Sequence, residues 1–214
     1  MSRVHTMKAS YAASVFINCP FDDQYRPMLF AAVFAILDCG YQPRCAQEVE
    51  DGGDVRIEKI RRIIEACKFG IHDISRTELS EGNALPRFNM PFELGIFLGA
   101  RYFGQGDQAK KFTLIVDRER FRYQQFLSDI AGQDIQAHND DPIVLIARVR
   151  NWLANATKRT TIPGAARVQA RYRQFQADLP ALCEEMALDQ GDLLFNEYAT
   201  VTSIWLRQAD ALTV

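Results

Sequence analysis

Short runs of β-branched and aromatic residues alternate with helical periodicity along the first three quarters of the chain, and this alternation constrains the fold more than any other feature. Ser14-Val-Phe-Ile-Asn18 is an apolar run that stops at Pro20 and reads as a buried strand. Residues 25–38 place Leu29, Phe30, Val33, Phe34, Ile36 and Leu37 around most of a helix that Gly40 ends. A weaker strand is predicted over 41–46. Asp54 is expected to cap an amphipathic helix with Ile57, Ile60, Ile64 and Cys67 facing inward. Residues 68–73 form a third strand candidate. Residues 75–89 carry no periodicity and read as a long loop, of the kind that is usually functional or mobile. Pro91 opens a helix to about residue 102, with Leu94, Phe97 and Leu98 inward. Residues 111–116 give the clearest strand, followed by a helix expected over 123–130, a short strand at 134–137, and a helix from Asp140 and Pro142 that carries Ile143, Ile146, Val149 and Leu153.

Strands and helices alternating at this spacing call for parallel strands, right-handed crossovers and helices on both sheet faces. The expected architecture is α/β: a doubly wound, mostly parallel five-stranded sheet in the flavodoxin-like order 2-1-3-4-5. A polar tail over 1–13 precedes this domain, which spans 14–157. After a polar linker (Lys158 to Gly164), residues 165–214 hold two predicted helices, 165–188 and 193–211, read as a helical appendage. Tyr172, Phe175, Leu179 and Leu182, with Trp205 and Leu206, are expected to pack on the sheet domain or on a second subunit.

Composition narrows the partners. With 48% hydrophobic residues, 24% charged residues and a net charge of −2, the chain is globular and has no positive field to draw a nucleic acid polymer or an anionic membrane. No apolar run approaches the roughly 20 residues of a membrane helix, and the N-terminal stretch lacks a signal-peptide core. The five cysteines are scattered and unpaired in pattern, as in a reduced, cytoplasmic protein. The histidines His5, His72 and His138 form no metal-spaced pair, so no metal and no other cofactor is expected. Neither a Gly-rich phosphate loop nor a G-x-S-x-G elbow is present, which removes the main sequence support for ATP hydrolysis, dinucleotide redox chemistry and serine hydrolysis.

Ligands of open parallel sheets bind beyond the carboxyl ends of the strands. That edge should hold Asn18, Cys19, Pro20, Phe21, Asp22 and Asp23 after strand 1. Arg44, Gln47 and Glu48 should follow strand 2, Asp73, Ser75 and Arg76 strand 3, Asp117 and Arg118 strand 4, and His138 strand 5. Mixed carboxylates and arginines suit a ligand with sugar hydroxyls and a phosphate. The segment Arg87-Phe-Asn89-Met-Pro-Phe-Glu93-Leu-Gly95 is the most informative. Glu93, expected in the first turn of its helix, is read either as a nucleophile or stabiliser of a sugar cation, or as a plain complement to the helix N-terminus. Gly95 and Gly99 are expected to let that helix approach the sheet. Cys19 and His72 are read as packed core groups, and His138 as a candidate acid or base. In the acidic cluster Glu48, Glu50, Asp51 and Asp54, Glu48 is the candidate ribose ligand beside the reading as solvated loop.

Three segments, Val15-Phe-Ile-Asn-Cys-Pro-Phe-Asp22, His72-Asp73-Ile-Ser75 and Asn89-Met-Pro-Phe-Glu93-Leu-Gly95, together resemble the nucleoside 2-deoxyribosyltransferase-like superfamily. They are similar, more distantly, to bacterial Toll/interleukin-receptor-like (TIR-like) domains that cleave nicotinamide nucleotides. The resemblance covers 14–153. It implies that Glu93 is the nucleophile, with Asp73 the acidic residue after a middle strand and Asn18-Cys19-Pro20-Phe21 the turn that family opens with. Cys19 departs from the usual glycine there, and Arg76 and Arg87 suit a nucleotide phosphate better than a plain nucleoside. The expectation is cleavage or transfer of an N-glycosidic bond in a nucleoside, nucleotide or NAD. Catalysis would use Glu93 and Asp73, and binding Asn18, Pro20, Phe21, Asp22, Glu48, Ser75, Arg76, Arg87 and Asn89. The alternative is a non-catalytic nucleotide-binding or protein-interaction module. A homo-oligomer, assembled through the C-terminal helices, is expected in either case.

Overall fold

A computed structural model describes residues 10–77 and 88–211. Five parallel strands form one sheet in the order β2-β1-β3-β4-β5. They are β1 (Ser14–Asn18), β2 (Gln42–Arg44), β3 (Phe69–Asp73), β4 (Phe112–Asp117) and β5 (Gln136–Ala137), interleaved with α1 (Arg26–Asp38), α2 (Arg56–Glu65), α3 (Asn89–Phe103) and α4 (Pro142–Thr157). Two further helices, α5 (Ala165–Glu185) and α6 (Phe195–Ala211), complete the chain. Among the described residues no helix is long and apolar enough to cross a membrane.

The three central strands β1, β3 and β4 are mostly apolar because both faces of the sheet are covered there, whereas the edge strands β2 (QPR) and β5 (QA) are not. Side chains alternate: Val15, Ile17, Phe69, Ile71, Leu114 and Val116 join the cluster under α1 and α4. Phe16 meets α2 and α3, and Ile115 meets Leu94 of α3. Gly70 on β3 is where helix and sheet come closest, since a Cβ there would lie 2.6 Å from the Phe97 ring and 2.7 Å from His72 Nε2. This corrects the role expected of Gly95 and Gly99, whose positions face open space. Helix α1 ends in a Schellman motif. Gly40, at φ +79, donates its N–H to Leu37 O (2.9 Å) and Tyr41 N–H reaches Ile36 O (3.0 Å).

Helices α5 and α6 stack on the outside of α1 and α4. Phe34 of α1 contacts Tyr172, Phe175 and Trp205, and Phe30 stacks on Tyr198 at 3.8 Å. These helices share one hydrophobic cluster with β1, β3 and β4.

Three local expectations fail. Residues 122–130 form two short 3-10 turns instead of a helix. Phe121 is left-handed (φ 63), and the Arg122 side chain is drawn back to Asp117 and to the carbonyls of Ile74 and Ser75. Asp54 does not cap α2; its carboxylate pairs with Arg62. Ile63, rather than the exposed Ile57, joins Ile60 and Ile64 in the core.

Candidate active site

In this strand order the connections leave β1 in opposite directions, so a crevice opens beyond the carboxyl ends of β1 and β3. A cleft of about 250 Å³ lies there, walled by Pro20, Phe21 and Asp22 after β1, Arg76 after β3, Arg56 at the start of α2, and Asn89 and Met90 at the start of α3. Five of the residues singled out from sequence are thus brought to one place: Pro20, Phe21, Asp22, Arg76 and Asn89. Arg87 lies outside the described residues.

Glu93 stands behind this wall. Helix α3 begins at Asn89, so Glu93 lies beyond its first turn, and complementing the helix N-terminus explains it poorly because that effect fades within one turn. The residue is only 3% exposed, and burial lifts its carboxyl to about 7 against the pull of Arg56. Arg56 Nη2 is 3.9 Å from Glu93 Oε1, and the same guanidinium lines the cleft. Arg56 is therefore the link between cleft and carboxylate. Its place in a polar loop–helix junction gave no sequence signal.

Asp73, at the end of β3, is fully enclosed. It accepts the Ser75 N–H at 2.8 Å and the Tyr25 hydroxyl, and His138 Nε2 lies 3.0 Å from its Oδ2. Burial alone would raise this carboxyl, but His138, Ser75 and Tyr25 outweigh it and hold Asp73 below the ordinary carboxylate range. Asn139 and Asp140 are consecutive left-handed residues, of types that tolerate that conformation. They turn the chain so that Asp140 N–H donates to His138 Nδ1 at 3.0 Å. With Nδ1 engaged there, Nε2 is the ring nitrogen that faces Asp73.

Asn18 and Ser75 serve the frame of the crevice. Asn18 Nδ2 donates to Met90 O (2.9 Å) and lies 3.0 Å from His72 Nδ1, tying β1 to β3 and to the start of α3. His72, whose pKa burial and Lys111 depress to about 3, is a neutral core ring packed on Phe97. Ser75 O accepts from Arg122 at 2.8 Å, and Asp22 Oδ1 accepts Tyr25 N–H at 2.9 Å in the turn that leads into α1. Cys19 is buried, and burial together with neighbouring Cys45, Asp73, Glu93 and Asp22 pushes its thiol well up, the opposite of an activated nucleophile.

Glu48 lies apart from the cleft. Its carboxylate is held bidentately by Arg44 (2.6 Å for each bond) on the wall of a second cavity of about 310 Å³. That cavity shares Phe21 and Asp22 with the first, and is closed by Leu193 to Asn196 ahead of and at the start of α6. Among the described residues no group of three or more His, Cys, Asp or Glu is arranged to hold a metal ion.

Comparison with protein families, with characterised proteins and with solved structures gives no match for this chain. The functional reading therefore rests on the crevice itself. Tyr25 is a further residue that sequence reasoning missed, since nothing marks it as more than the start of the helix over 25–38. His138, a candidate acid or base from sequence, meets Asp73 across β4.

Proposed function

We propose that the protein cleaves or transfers the N-glycosidic bond of a nucleoside, nucleotide or NAD at the β1/β3 crevice. The observation that carries this reading is Glu93: a carboxylate buried behind a ligand-sized cleft, its pKa lifted to about 7, with a guanidinium between it and the opening. Carboxylates placed in this way serve as nucleophiles or stabilise oxocarbenium-like sugar cations. Arg56 and Arg76 on the cleft wall suit a phosphate, and Asp22 suits sugar hydroxyls. In the reaction, Arg56 trades Glu93 for the ligand phosphate. Glu93 then approaches the anomeric carbon as the base departs with the electron pair of the glycosidic bond, and water or a second base completes the displacement. Asp73, locked by Tyr25 and His138, acts as a fixed negative charge beside the developing cation.

A second reading, ligand binding without turnover, draws on one specific feature: Glu93 does not itself line the cleft. One experiment separates the two. Purified protein and its Glu93→Gln variant are incubated with NAD and with a panel of nucleosides and their monophosphates, and products are resolved by chromatography. Free base released by the wild type alone supports glycosidic cleavage. No release, from a folded protein that still binds a nucleotide, overturns it in favour of a binding module.

A further inference from the structure

The outer face of α3 is an apolar stripe that nothing in the described chain covers. Phe88, Phe92, Tyr102 and Phe103 are 53%, 60%, 63% and 89% exposed. They make up four of the six exposed aromatic side chains among the described residues, so the exposure is concentrated on one helix rather than scattered. Steps of four and three residues place Phe88, Phe92, Gly95, Gly99 and then Tyr102 and Phe103 on one side of the helix. The stripe contains no charged residue; Arg101 flanks it, 5.7 Å from the Tyr102 ring. A Cβ added at Gly95 or Gly99 meets nothing within 4 Å. Two glycines inside a helix weaken it relative to alanine, and here no close approach among the described residues accounts for them.

We propose that this face is the contact between two copies of the chain, formed by antiparallel pairing of α3 with α3 across a two-fold axis. An isologous interface needs a patch that complements itself. This one does, with aromatics at both ends and two glycines in the middle. Antiparallel pairing sets Phe88 and Phe92 of one copy against Tyr102 and Phe103 of the other, and glycine crosses glycine where the backbones come closest. The absence of charge within the stripe removes like-charge repulsion between identical faces. Four aromatics of about 150–250 Å², each at least half exposed, bury on the order of 500 Å² per copy, or about 1,000 Å² in total, which meets the threshold of roughly 1,000 Å² for a biological contact and suits a weak, concentration-dependent dimer. The expected assembly thus uses the helix that carries Glu93 instead of α5 and α6, and it holds Phe92, the neighbour of Glu93, in place.

The test is sedimentation velocity of the full chain across a hundredfold range of concentration. Wild type is expected at twice its 24.3 kDa mass at the upper end, and Phe92→Glu and Gly99→Glu each at the single mass, with unchanged far-UV circular dichroism. The open space at Gly99 admits the new side chain in a single copy, so loss of the dimer there is not loss of the fold. A chain that stays monomeric throughout overturns the proposal and leaves the stripe to a different protein. A dimer that withstands both substitutions also overturns it and moves the interface elsewhere, with α5 and α6 the next surface to alter.

Discussion

His138 and Asp73 meet at 3.0 Å across the carboxyl edge of the sheet, one from beyond β5 and the other from the end of β3, with β4 between them. The contact joins the last strand to the switch-point crevice, and Tyr25 of the β1–α1 junction closes it from the other side. A carboxylate with three partners and almost no exposure is costly to disturb, because each partner left behind is a buried polar group without its match.

The first prediction concerns that network. Asp73→Ala should lower stability at pH 7 by on the order of 3 kcal/mol, read from urea denaturation. The folded-state pKa of Asp73 is depressed, so its contribution is present above the unfolded-state value and is lost as pH falls through the folded value. The gap between wild type and variant should therefore narrow in acid. An equal gap at pH 7 and pH 3 would show that ionisation of Asp73 is not what the network stabilises.

Glu93 should behave in the opposite sense. Its pKa rises from 4.5 to about 7 on folding, so between those values the native state holds more protons and stability falls as pH increases. Glu93→Gln removes this dependence. At pH 8 the variant should be more stable than wild type by up to about 3 kcal/mol, and near pH 4 the two should coincide. A chemical step that needs the ionised carboxylate should gain rate as pH rises through about 7. Thermal melts at pH 4 and pH 8 decide the first part without reference to any substrate. A variant less stable than wild type at pH 8 contradicts the burial argument.

Arg56 lowers the Glu93 pKa against the effect of burial. Arg56→Ala should thus move the Glu93 titration upward, followed by NMR of the carboxyl carbon. If a phosphate is drawn to this guanidinium, the same change should weaken binding of nucleoside monophosphates more than of nucleosides. Equal weakening of both would place the phosphate elsewhere in the cleft.

Much of the architecture was legible because the strands that matter are buried on both faces. Such strands are written mostly in apolar residues with the polar ones toward their ends, as in β1 (SVFIN), β3 (FGIHD) and β4 (FTLIVD). Five alternating strands and helices with right-handed crossovers fit the flavodoxin-like order 2-1-3-4-5, which the sheet adopts. Pro20, Phe21, Asp22, Arg76 and Asn89 could be placed at one crevice for the same reason: chain order fixes which loops share the carboxyl edge. What sequence could not supply was side-chain partnership. Arg44 takes up Glu48, Arg122 takes up Asp117, and Arg56 reaches Glu93, although all three arginines look alike as loop or helix-end charges. The helix expected over 123–130 fails for a related cause. Its apolar spacing is present, but left-handed Phe121 and the tethered Arg122 fix the backbone before a helical turn can form.

The last prediction contrasts two glycines that look interchangeable in sequence. Gly70 and Gly99 both precede or lie within the region that packs α3 on the sheet, yet one is enclosed and the other faces open space. Gly70→Ala drives a methyl group to 2.6 Å from the Phe97 ring, itself fully buried, and to 2.7 Å from His72 Nε2. Neither ring has room to retreat, so the change should cost about 1–3 kcal/mol as overpacking. Gly99→Ala meets nothing within 4 Å and replaces a poor helix former with the best one, so the single chain should gain about 1 kcal/mol. Denaturation of both variants at low protein concentration, where assembly does not contribute, tests the pair. Opposite signs confirm that the close contact between α3 and the sheet is made at β3. Destabilisation by Gly99→Ala under those conditions would mean that its helix face is covered within a single chain.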